Sequence, residues 1–268
     1  VTDTTIAPSG ARSGRPRIGL IFRSLFRADF TVLLRSGRTL ILNIAVPILY
    51  LVITDLHNLL HLGGKAPAGW TTEFSISLAL TVGLMSASVM GYSGAIAQDR
   101  TTGVFERLRV TPAPTWAIMT SRLLVQIVVD LIMTVAVLIL GSIIHSTLFS
   151  VGQYLLVVCV SLLGGAMFLA IAQAIAGLVR SAAGVNAVGR ILFIVFLLLG
   201  LLGASGILGD AVKDISDWTP VGALINVYGG VLDTAHWGWT NTSGLIATVG
   251  YVIVGAFIGI RWFRWESR

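Results

Sequence analysis

Residues 153–179 read QYLLVVCVSLLGGAMFLAIAQAIAGLV, with no charged side chain anywhere in the run. A helix needs roughly 20 such residues to cross the ~30 Å hydrocarbon layer of a bilayer, and this stretch meets that length. Working outward from it, five further segments do the same: 39–60, 74–97, 116–144, 186–207 and 243–260. Composition agrees. The chain of 268 residues is 55% hydrophobic and only 11% charged, with a mean hydropathy of +0.89. Soluble domains carry about 25% charged residues because water must solvate their surface. The expected fold is therefore all-α, a polytopic membrane protein with six transmembrane helices. The segment 39–60 is the weakest of the six, since Asp55, His57, Asn58 and His61 crowd its second half.

The net charge of +6 does not indicate a nucleic-acid partner, because the basic residues stand between apolar runs rather than on one polar face. They set orientation instead. Every arginine falls in the segment before the first span, in the second or fourth connection and the span starts beside them, or in the C-terminal segment. Lys65 and Lys213, the only lysines, fall on the other side. Six spans with both termini in the cytoplasm satisfy this division. The single cysteine, Cys159, leaves no intramolecular disulfide and no cysteine-rich metal site.

Residues 1–16 are rich in Thr, Ser, Gly and Arg and read as a disordered tail. Over 17–38, Ile18, Ile21, Phe22, Leu25 and Phe26 fall at helical spacing, apart from Arg23 and Arg27. That pattern predicts a basic amphipathic helix lying in the cytoplasmic interface. Residues 39–268 form the membrane domain. No secretory signal is expected, because the apolar run starts only near Thr39 and no small-residue cleavage site follows it.

The connection between the second and third spans reads Asp99-Arg100-Thr101-Thr102-Gly103-Val104-Phe105-Glu106-Arg107-Leu108-Arg109-Val110-Thr111-Pro112. Gly103 relaxes the backbone where the chain leaves the span. The next six residues can form a short charged helix, and Pro112 stops it because Thr111 before it disfavours the helical region. This run resembles the coupling segment of permeases of type-2 ABC exporters, a group that includes daunorubicin-resistance-like drug exporters and polysaccharide export permeases. The family usually has Thr-Leu where this chain has Val104-Phe105. The resemblance extends to the amphipathic N-terminal helix, the six spans and the long outer connection 209–242, where the family forms short outward or re-entrant helices.

The resemblance implies a permease subunit of an exporter in the plasma membrane of a bacterium. Its cargo would be an amphipathic drug, an antibiotic or a lipid-like compound, with glycan export as the alternative. It also implies that Asp99, Arg100, Gly103, Phe105, Glu106, Arg107, Leu108 and Arg109 couple the spans to a separate ATPase. ATP and Mg would sit on that partner, since the sequence has no Gly-x-x-x-x-Gly-Lys-Ser/Thr phosphate loop. A second permease copy, identical or related, completes the expected assembly, and this chain is expected to bind no cofactor and to catalyse nothing itself.

Other residues admit two readings each. Asp130, with Gln126 one turn before it, is an acid in mid-span, costly to insert by about 2.5–3.5 kcal/mol. The pair could line the transport path or form a buried hydrogen bond between helices; a lone acid fits an ion-coupled carrier less well. Ser75, Ser77, Thr81, Ser86, Ser88, Tyr92 and Ser93 in the second span could line a path, but small polar residues also serve close helix packing. The same packing reading covers Ala166, Ala170, Ala174 and Gly255-x-x-x-Gly259. Gly203-Ala204-Ser205-Gly206 matches the nucleophile pattern of rhomboid-type proteases, yet His236 falls in a polar stretch rather than in an apolar span. Trp237, Trp239, Trp262 and Trp265 flank the last span as an aromatic belt would.

Overall fold

The computed structural model describes residues 18–35, 41, 44–53, 71–104, 107, 115–179, 181–203 and 209–262, and these are all-helical without a strand. In chain order, α1 is Ile18–Arg35, α2 Ile44–Ile53, α3 Thr72–Thr101, α4 Thr115–Ile144 and α5 Val151–Leu178. They are followed by α6 (Ala182–Gly203), α7 (Asp210–Asp217), α8 (Pro220–Leu232) and α9 (Trp239–Trp262). Five of these, α3, α4, α5, α6 and α9, are long and apolar enough to cross a membrane. The expected first span is represented by α2, a shorter apolar helix; the flanks of 39–60 lie outside the described residues. So does the tail 1–16. The amphipathic helix expected over 17–38 is α1, which packs on α4.

Helix starts follow from side-chain caps, which satisfy amide groups that have no partner inside the helix. Thr71 caps α3, Ser181 caps α6 and Thr219 caps α8, where Pro220 occupies the first helical position. Ser150 caps α5 through a reciprocal capping box with Gln153.

The centre of the bundle is α3, with 83% of its most apolar stretch buried inside the protein, against 17% for α6. Its polar residues explain how it tolerates that position. Ser75, Ser77, Thr81, Ser86, Ser88 and Ser93 are all buried. Ser77, Thr81, Ser86 and Ser93 return their hydroxyl protons to carbonyls three or four residues earlier in the same helix. These four hydroxyls are thereby satisfied within the buried helix. A π-helical stretch, Ser86–Tyr92, interrupts α3. Here α6 comes closest: a Cβ on Gly189 would stand 3.0 Å from the Val89 carbonyl oxygen.

Small residues also fix α5 against α9. Cβ atoms on Gly255 and Gly259 would lie 2.9 Å from Ala170 Cβ and 3.0 Å from Gln173 Cβ, so the two helices run parallel in near backbone contact.

The connection 209–242 folds back into the bundle. Helix α7 descends, the chain turns at Trp218–Thr219, and α8 climbs out again. The turn is tied down at depth: Ser216 Oγ donates to the Leu199 carbonyl at 2.9 Å, and the Tyr251 hydroxyl donates to the Trp218 carbonyl at 2.8 Å. Tyr251 lies about halfway along α9, so the turn of this hairpin sits beside the middle of that helix. At its rim, Asn241 Nδ2 donates to the Asn226 carbonyl at 2.7 Å, and Gln153 Nε2 to the Leu232 carbonyl at 2.7 Å. Trp237 and Trp239 are exposed at that end, as a belt requires; the side chain of Trp262 and all of Trp265 lie outside the described residues.

Candidate functional site

The end of the bundle where α3 and α5 finish and α4 begins carries a connected set of polar side chains. Asp99, in the last turn of α3, forms an ion pair with Arg122 in α4. Arg100, beside it, is only 5% exposed. Its guanidinium donates to the Ala176 carbonyl at 2.8 Å and to the Val179 carbonyl at 3.2 Å. Carbonyls in the last turn of a helix have no partner within it and carry the negative end of its dipole, so Arg100 caps α5 from a neighbouring helix. One and a half turns earlier in α5, Gln173 Nε2 donates to the Tyr92 hydroxyl at 2.7 Å. Ser121 in α4 donates to Asp29 Oδ2 at 2.6 Å, which brings α1 into the same assembly.

Beyond Arg100 the helix ends. Thr102 is its last cap and Gly103 has φ +70°, the left-handed conformation that glycine adopts without strain at a helix C-terminus. The chain then starts a new turn, with the Arg107 amide donating to the Gly103 carbonyl at 3.2 Å, and Arg107 is exposed. Phe105, Glu106, Leu108 and Arg109 lie outside the described residues. Of the sequence-predicted coupling residues that are described, Asp99 and Arg100 turn into the bundle while Arg107 faces away from it. That division was not visible in the sequence, where all belong to one charged run.

In mid-bundle, Gln126 Nε2 donates to Asp130 Oδ1 at 3.0 Å, so the two do share a face of α4. Asp130 is 3% exposed, and its second oxygen, Oδ2, has no hydrogen-bond partner among the described residues. It points at α5, where a Cβ on Gly165 would come within 3.0 Å of it. Among the described residues the pair lies between α4 and α5.

At the opposite end, His236 sits in a short turn with its ring Nδ1 2.8 Å from Asp233 Oδ2, and its side chain is 83% exposed. Ser205 lies outside the described residues. Asp233 and His236 also border an open cavity of about 300 Å3 between α3, α8 and α9, along with Glu73 and Asn226. Among the described residues, no group of three His, Cys, Asp or Glu side chains is placed to hold a metal ion.

A helical bundle of membrane-spanning length, with a hairpin folded back at one end and a charged break between spans at the other, defines a polytopic membrane protein. Residues 39–261 match the family described as ABC-2 family transporter protein, and the chain belongs to that family. It is thus a membrane-embedded component of an ABC transporter, of a family that generally works with an ATPase subunit. Comparison with curated proteins returned no match.

Proposed function

We propose that this protein is the permease subunit of an ATP-driven exporter that moves an amphipathic drug, antibiotic or lipid-like compound out of a bacterial cell. A separate ATPase supplies the energy and docks on the segment 103–109. The observation that carries this reading is the break at Gly103, which ends α3 and leaves Arg107 exposed at the arginine-rich end of the bundle. The arginine distribution supports placing that end, with both termini, in the cytoplasm.

A second permease copy belongs to the same reading. Asn186 and Arg190 are exposed on α6, the span least covered by the rest of the chain. Polar groups of that kind inside a membrane face protein or a water-filled path rather than lipid. Vesicles holding the permease with its ATPase, loaded with fluorescent amphipathic dyes or labelled phospholipid, test the function. ATP-dependent movement that fails in Glu106→Ala and Arg107→Ala while ATP hydrolysis continues supports it. Normal movement in both variants contradicts the coupling role.

A further inference from the structure

The charged run that ends α3 is divided by geometry at Gly103. On one side, Arg100 is 5% exposed and Asp99 is engaged with Arg122. On the other, Arg107 is exposed. A guanidinium already bonded to two carbonyls of α5, and buried with them, is not placed to meet a soluble partner as well. We infer that Asp99 and Arg100 are positioning residues, which fasten the last turn of α3 to the start of α4 and the end of α5 rather than contacting the ATPase. This deepens the proposed function and rests on it only for the origin of the motion.

The chemistry suits a mechanical joint. An arginine fork on two carbonyls fixes direction as well as distance, and a charged donor makes these bonds stronger than neutral ones. The ion pair acts on a different helix, so displacement of the α3 end must carry both α4 and α5 with it. Ser121 passes the same constraint to α1 through Asp29. A push on the 103–109 segment therefore reaches four helices as one body, which is how small shifts become rigid-body movements in packed bundles.

The test uses the full chain purified with its ATPase, in a Cys159→Ser background. Spin labels are placed at Thr101 and Leu178, both exposed, near the ends of α3 and α5. Dipolar broadening of the EPR spectrum should persist in both nucleotide-free and nucleotide-trapped states. It should be lost in Arg100→Ala and partly kept in Arg100→Lys. Asp99→Asn should retain the ATPase on purification, and exchanging the charges (Asp99→Arg with Arg122→Asp) should restore any nucleotide response that Asp99→Asn loses. Loss of the ATPase in Asp99→Asn, or broadening unchanged in Arg100→Ala, overturns the inference. Should no ATPase accompany the unaltered protein, the proposed function fails, while the comparison of Arg100 variants still reads the joint.

Discussion

The hydroxyls of Tyr228 and Ser161 lie 2.7 Å apart in the interior, joining the re-entrant helix α8 to α5. Tyr228 is fully buried, so its hydroxyl has no water to fall back on. Tyr228→Phe removes one partner and leaves the serine unsatisfied, a change expected to cost about 1–2 kcal/mol. Thermal unfolding of the purified protein in detergent measures this, and an unchanged midpoint would show that the pair holds nothing. Ser161→Ala in the Tyr228→Phe background should cost less than it does alone, because both polar groups are then gone.

Asp130 and Gly165 provide a second test within the span region. Gly165→Ala places a methyl group about where Asp130 Oδ2 needs room, and overpacking of this kind costs about 1–3 kcal/mol. In an Asp130→Ala background the same substitution should be milder, with a coupling of about 0.5–3 kcal/mol between the two sites. Additive effects in the melting experiment would mean that the oxygen does not abut α5. If Asp130 also contacts cargo, Asp130→Ala alters transport kinetics beyond what stability explains.

Five of the six expected spans were legible because their signal is length and charge exclusion, which bilayer thickness imposes without reference to any partner. Residues 153–179 and 116–144 coincide with α5 and α4 to within two residues at each end. The N-terminal helix α1 was legible from the spacing of its apolar residues. What the sequence hid is tertiary. Nothing local to Arg100 tells that its guanidinium caps another helix 76 residues away, or that Asp99 and Arg107 part company at Gly103. Likewise Gln126 and Asp130 could be paired by helical spacing, yet only the position of Gly165 reveals which neighbour the acid faces. That 209–242 forms short helices was implied by family resemblance alone, because its apolar helix α8 is too short to announce a span.

Orientation can be settled by cysteine labelling in a Cys159→Ser background. Leu148, 90% exposed in the turn between α4 and α5, should react from outside the cell when replaced by cysteine. A cysteine at Thr101 should react only after permeabilisation, because the positive-inside bias puts that end in the cytoplasm. The reverse pattern would invert the whole topology and move the 103–109 segment away from any cytoplasmic ATPase.

The central claim is that a separate ATPase drives this permease through the segment after Gly103. It is tested most directly by expressing the chain with its chromosomal neighbours, purifying it in mild detergent and identifying what accompanies it. An ATP-binding subunit that co-purifies, and is lost when Glu106 and Arg107 are both replaced by alanine, is the expected result. A protein that emerges alone under those conditions, or a complex indifferent to both substitutions, would contradict the account.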